Sequence, residues 1–291
     1  MRLQVTHRTS YTYSDLVTDS YNELRIHPIS DDPQRVILFE LALQPEVKFR
    51  SYRDFYLNYV HFCEIHEPHA FLVIEGRSIV ETQNPFTMAG PLHGVPFSSL
   101  ATCASKDDCW DFLGASKYVA LTPELWKLAL DLRAEGDDVF ATAETIMRWI
   151  FREFTYATDA TTVKTHMLDA LAMKKGVCQD FAHVMLGLCR SLKIPARYVS
   201  GYLFDGGNHA LRGDHASHAW CEIYLPDLGW FGFDPTNNQF ADDRYIKVAV
   251  GRDYEDVAPI KGGISGGGKT PAKLEVAVRI ERLDLPLQAP A

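Results

Sequence analysis

The chain has 291 residues, of which 46% are hydrophobic, 12% aromatic and 23% charged, a globular composition that excludes a wholly disordered or fibrous protein and fits about two domains. Lys and Arg total 29 against 38 Asp and Glu, a formal net charge of −9 that lacks the basic footprint of a general nucleic-acid binder. No stretch approaches the roughly 20 apolar residues a bilayer-spanning helix needs.

The opening MRLQVTHRTSYTYSD has no apolar core of a secretory signal. Leu3 and Val5 alternate there with Gln4 and Thr6, so it reads as a first strand. Residues 1–85 read as an all-β domain: RLQVTHRTSYTY, RVILFELALQPEVKF, NYVHFCEIHEP and FLVIEGRSIVET are rich in β-branched and aromatic residues, with turn clusters such as SDDPQ between them. The Pro- and Gly-punctuated stretch after it predicts a linker over 86–100, and a core domain over 101–261 comes next. Thr122 as cap and Pro123 in the first position open a helix, with Gly136 near its end. Val139, Ala143, Ile146 and Ile150 share one face of a second, amphipathic helix. A third, short helix runs from Thr165 as cap to Lys175, stopped by Gly176. The fourth begins near Cys178, carries Phe181, Val184, Met185, Leu188 and Leu192 on one face, and is over by Pro195. Three strands come after it: ARYVSGYL, HAWCEIYL and GWFGFD. The last segment, 262–291, joins GGISGGGK, flexible by composition and without the pattern of a phosphate loop, to KLEVAVRIERL. Alternation makes the latter a half-buried strand that returns to one of the sheets.

Six cysteines (Cys63, Cys103, Cys109, Cys178, Cys189 and Cys221) include no C-x2-C pair and are too sparse for a disulfide scaffold. They predict reduced thiols and a cytoplasmic protein. Cys178 stands apart because it opens a helix, where the aligned peptide dipoles favour a thiolate and unpartnered N–H groups can serve an oxyanion. His218 shares a strand face with Trp220, Glu222 and Tyr224, opposite Ala219, Cys221, Ile223 and Leu225. A hairpin centred on Pro226 sets Asp234 on the next strand opposite His218 or nearly so. That carboxylate can hold the imidazole and leave the other ring nitrogen for the thiol: a Cys178–His218–Asp234 site.

KKGVCQDFAHVMLGLCRSLKIPARYVSGYL (174–203) and DHASHAWCEIYLPDLGWFGFDPTNN (214–238) resemble the transglutaminase-like superfamily of papain-fold cysteine enzymes. YNELRIHP, DFYLNYVHFCEIHEPH, GRDYEDVAPIKGG and the last strand resemble its bacterial branch with an N-terminal β domain. The resemblance implies an α+β fold, a papain-like core of helices packed on an antiparallel sheet behind an antiparallel β domain. It also implies an enzyme acting on a peptide or protein amide through a thioester, as peptidase or amidase when water resolves it and as transglutaminase when an amine does.

Gln179, Trp220 and Tyr202 are candidate substrate-binding residues, and Tyr202 and Tyr156 candidate second oxyanion donors. Asp180, in the first helical turn, complements the dipole as a structural acid. His209, His215, His218 and Cys221 lack the paired spacing of a structural zinc site, so neither metal nor other cofactor is expected. The alternatives are a non-enzymatic peptide-binding module on the same fold and a redox thiol protein. The latter fails because Cys189 lies about 16 Å along the helix from Cys178, too far to resolve it.

Overall fold

The computed structural model describes residues 1–89, 92–105, 107–206, 211–212, 217–268 and 272–283. β1 (Arg2–Leu24) is the spine of the N-terminal half. Its alternation buries Leu3, Val5, His7 and Thr9 on one face. With β2 (Gln34–Gln44), β3 (Phe49–Arg53), β4 (Tyr59–Ile65) and β5 (His69–Thr82) it forms an antiparallel sheet in the order β2-β5-β1-β4-β3.

The next stretch, expected as a linker, is packed instead. It holds α1 (Pro85–Met88), a 3-10 helix over Phe97–Ser105 and α2 (Asp107–Trp110). The Phe86 ring lies 5.4 Å from Phe231 and 4.9 Å from Phe240, and Leu92, Val95 and Phe97 pack on the same core. Proline and glycine mark turns there, but the apolar residues between them hold the chain down.

α3 (Pro123–Asp131) starts as expected, with Thr122 Oγ1 accepting from the Leu125 N–H at 3.2 Å. It ends at Leu132, short of Gly136. α4 (Val139–Glu153) buries Val139, Ala143, Ile146 and Ile150 completely. β6 (Thr155–Tyr156) pairs in parallel with β7 (Lys175–Gly176), and α5 (Met167–Met173) lies between them. The cap of α5 is His166, one residue past the expected Thr165, whose hydroxyl is spent on the Thr162 N–H at 2.9 Å. Its end is Lys174 in the left-handed region, and Gly176 belongs to a strand.

α6 (Cys178–Ser191) is more buried than its pattern predicts: every residue from Cys178 to Arg190 is inside. α3, α4 and α5 cover it on one side, and β8 (Ala196–Leu203) and β9 (His218–Leu225) on the other. The buried Arg190 guanidinium stays solvated by protein, donating to the Ala196, Gly114 and Arg252 carbonyls. β10 (Gly229–Asp234), β11 (Gln239–Phe240) and β12 (Tyr245–Gly251) complete an antiparallel sheet in the order β11-β10-β9-β8-β12. Helices on one antiparallel sheet, behind a separate antiparallel sheet, make the fold α+β.

After α7 (Tyr254–Val257) the chain goes back to the first sheet. β13 (Ile260–Gly266) pairs with Val17–Leu24 of β1, and β14 (Lys273–Arg282) with Leu3–Thr12. The start of the Gly-rich run is therefore strand, not a flexible tether. Glycine is needed for the close approach, because a Cβ on Gly262 would stand 2.1 Å from the Tyr21 carbonyl oxygen.

The two sheets meet where Leu3, Val5 and Val80 pack on Tyr202, Ile246 and Val248. Two amides finish the join. Gln34 bonds the Lys247 N–H and carbonyl, each at 2.8 Å, and Asn58 does the same at Val250, also at 2.8 Å. At Lys247 and Val250 the outer edge of β12 is thus met by these side chains and the Ile29 N–H rather than by another strand.

Candidate active site

Cys178 is the first residue of α6 and only 9% exposed. The cap position is Val177, which has no side chain to offer, so Asp180 reaches back. Its carboxylate accepts from the Val177 N–H at 2.8 Å and from Thr161 Oγ1 at 2.6 Å. Burial raises the Asp180 pKa, and these bonds work against the rise. Gly176 is required just upstream, since a Cβ there would lie 2.4 Å from Asp180 Oδ2. Helical bonding begins with Phe181 N–H to the Val177 carbonyl, so the N–H groups before it have no helical acceptor. Asp180 is the structural acid expected.

His218 opens β9 and Asp234 closes β10, and neither side chain is exposed. Nε2 bonds Asp234 Oδ2 at 2.8 Å. The hairpin is centred on Asp227, one residue past Pro226, which shifts the cross-strand register by two: Leu225 faces Gly229 and Phe233 faces Cys221, so one further step sets Asp234 opposite Trp220. A two-residue slip keeps every side chain on its face, and His218 becomes a diagonal neighbour still within reach. The turn fits the extra length because Asp227 and Gly229 both take positive φ.

Asp234 is held from several directions. Oδ2 also accepts from the Asn237 amide at 2.8 Å and the Tyr245 hydroxyl at 2.7 Å, and Oδ1 from the Thr236 and Asn237 N–H groups at 2.8 and 3.3 Å. Burial alone would raise its pKa; His218 and these donors outweigh it and lower it. Burial likewise disfavours the charged His218 ring, but Asp234, aided by Cys178, raises it to about 10. Nδ1 of His218 is buried with no hydrogen-bond partner among the described residues. That nitrogen is the one expected from the sequence to serve the Cys178 thiol.

The other candidates divide. Gln179 is buried, with Nε2 donating to the Val163 carbonyl at 3.1 Å, so it ties down the 157–166 loop. Tyr202 is not brought to the site: its hydroxyl bonds His7 Nδ1 at 2.9 Å, in the seam between the sheets. Tyr156 sits on β6 opposite Gly176, two residues before Cys178. Trp220 is 1% exposed and lies beside the His218 ring at 6.1 Å, over Gly201, where a Cβ would stand 2.5 Å from the indole. It backs the imidazole and lines a cavity of about 430 Å3 between the sheets, which none of Cys178, His218 and Asp234 touches. Cys221 points away from His218, its thiol donating to the Ala182 carbonyl; His209 and His215 lie outside the described residues.

Sequence reasoning missed Asn237, Tyr245 and Arg212. Asn237 was within reach, because Asp-Pro-Thr-Asn is a turn sequence in which an Asp side chain takes the N–H two residues on. Nothing local marks Tyr245. Arg212 carries its guanidinium over the rings of Phe151 and Tyr156, 5.4 and 5.8 Å from their centroids. Its N–H and carbonyl both bond the Asn237 side chain.

Two family models match the chain: the transglutaminase-like superfamily core over residues 127–235 and the bacterial transglutaminase-like N-terminal region over 3–81. An uncharacterized protein of Mycobacterium leprae is 34% identical over 97% of this chain and 99% of its own length. A protein-glutamine gamma-glutamyltransferase of Pseudomonas aeruginosa is 33% identical over 47% of this chain, which spans 22% of that protein. Among solved structures, a candidate cysteine protease from Cytophaga hutchinsonii shares the fold, with a TM-score of 0.74 at 23% identity over 98% of this chain and 93% of that one.

Proposed function

The chain belongs to the transglutaminase-like superfamily, and on that premise we propose that it is a cysteine-dependent amide hydrolase acting through a thioester. Cys178 attacks the carbonyl while His218 takes the thiol proton and returns it to the leaving amine. Asp234 fixes the ring through Nε2 and stabilises its charged form. The N–H at the start of α6 steadies the tetrahedral oxyanion. The observation that carries this reading is the fully buried His218–Asp234 pair, whose Nδ1 alone is left unpartnered among the described residues.

The test is the iodoacetamide alkylation rate of each cysteine against pH, read by peptide mass spectrometry. Cys178 alone reacts fast, and His218→Ala removes the advantage. Burial pushes Cys63 up to about 11 and Cys189 up to about 12, so they form a slow background. A Cys178 no faster than the others sinks the mechanism and favours the peptide-binding module.

Amine transfer is the second reading, supported by the activity for which the Pseudomonas relative is named. Hydrolysis and transfer share the thioester and differ only in what resolves it. Turnover with a primary amine present separates them: free acid marks the hydrolase, a new amide the transferase.

A further inference from the structure

One cation at the rim of this site has no role in the mechanism. The Arg212 backbone bonds Asn237 from both sides, at 2.9 and 3.2 Å, and the Asn237 amide bonds Asp234 Oδ2. Arg212 is thereby anchored to the His218–Asp234 bank. Its guanidinium extends to the other bank, over Phe151 and over Tyr156, whose strand pairs with Gly176 just before Cys178. The side chain therefore bridges the two elements between which the thiol and the imidazole meet.

What the Arg212 side chain lacks there, among the described residues, is a hydrogen-bond partner for its buried Nη1. The ring faces below it attract a cation but accept no directed N–H bond of ordinary strength. Asp234 is taken up by five donors, and Asp180 holds Val177 and Thr161 through Oδ2 and makes no bond to Arg212 among the described residues. A guanidinium held in place with a donor to spare matches a carboxylate in both charge and fork geometry.

We propose that Arg212 is the anion-recognition element of the cleft, so that the acyl donor carries a carboxylate close to the amide that Cys178 attacks. The inference rests on the cysteine reading and adds a substrate class to it: acidic peptides or acyl groups ahead of neutral or basic ones.

Two disulfide reagents test it without knowledge of the substrate. In each, the Cys178 thiolate attacks one sulfur, a mixed disulfide forms, and one aryl thiolate leaves and is read by absorbance. Dithiobis(nitrobenzoate) carries a carboxylate on each ring, and dithiodipyridine is neutral. With the Cys178→Ser background subtracted, the anionic-to-neutral rate ratio is expected to fall about tenfold in Arg212→Gln, the range of one charge-assisted hydrogen bond, and to be largely retained in Arg212→Lys. The neutral rate itself stays at the wild-type level in both variants. An unchanged ratio in Arg212→Gln overturns the inference alone. A parallel loss of both rates overturns it too, by making Arg212 a structural support of the loop. A wild-type Cys178 as slow toward the neutral reagent as the buried cysteines overturns the cysteine reading along with it.

Discussion

Strands β9 and β10 carry or flank two buried acid–base clusters that look alike in composition and behave differently. At one end of β9, Asp234 meets His218, both side chains 0% exposed. Further along the same strand Glu222, 5% exposed, is clamped by Arg197 at 2.5 Å and Lys247 at 2.5 Å, and Lys247 also reaches Asp31 of the N-terminal half at 2.6 Å. Burial alone would raise both carboxyl groups, and in both the partners win and lower them. The difference lies in the bases. Arg197 never gives up its proton, whereas His218 is a titratable ring whose charge its surroundings set, and Asp234 raises it to about 10. One cluster therefore fastens the N-terminal half to the core, and the other holds a titratable ring at the start of β9.

Substitutions should pull the two apart. Asp234→Asn is expected to lower kcat/KM by roughly 10^3-fold or more while leaving a folded protein, because the ring loses the charge that orients and stabilises it; a variant within tenfold of wild type would break the comparison. Glu222→Gln should do the reverse. Arg197 then loses its carboxylate and Lys247 keeps Asp31 alone, and breaking this largely buried cluster costs up to about 3–5 kcal/mol of stability, read by urea unfolding, with little change in turnover per folded molecule.

The pH dependence sharpens the contrast. The folded pKa of His218 is about 10 against an ordinary 6.5, so its contribution to stability is complete below about pH 6.5 and is lost as pH rises through about 10. Asp234, lowered in the fold, contributes above the ordinary carboxylate range and loses that on acidification. Unfolding free energy measured from pH 6.5 to 10 should decline in the wild type and far less in His218→Ala. Glu222→Gln should retain the decline, since no imidazole sits in that cluster. The smallest effect is Tyr245→Phe. One donor to Asp234 is lost, worth about 1.5–3 kcal/mol for a bond to a charged group, and a loss of about tenfold in kcat is expected with KM unchanged.

How much the sequence discloses depends on how local each signal is. α6 and its opening cysteine are legible because a helix start, its apolar period and the stop before Pro195 all lie within 20 or so residues. His218 and Asp234 are legible because a hairpin is local too, and an error of two positions leaves the face of each side chain unchanged. Tyr202 misleads because pattern alone cannot tell which face of β8 meets the thiol and which meets the other sheet. Tyr245, though near Asp234 in sequence, is placed by the pairing of β12 with β8, and the Lys247 partner Asp31 by how two distant segments dock, information that no short window of sequence holds. The same is true of β13 and β14: alternation marks β14 as a strand, and glycine content disguises β13 as a tether.

The position of β14 also sets the order in which the chain can mature. Leu3 pairs with Arg282 and Thr12 with Lys273, so β1 meets one of its partners only after at least 260 intervening residues have been made. Until then that side of β1 exposes an unsatisfied row of backbone donors and acceptors, a template for pairing with other chains. The helical core half can collapse on its own shorter-range contacts, but closure of the first sheet waits for the most distant strand pairing among the described residues, and loops that long close slowly. Nascent-chain arrest should therefore find the core protease-resistant before β1 is.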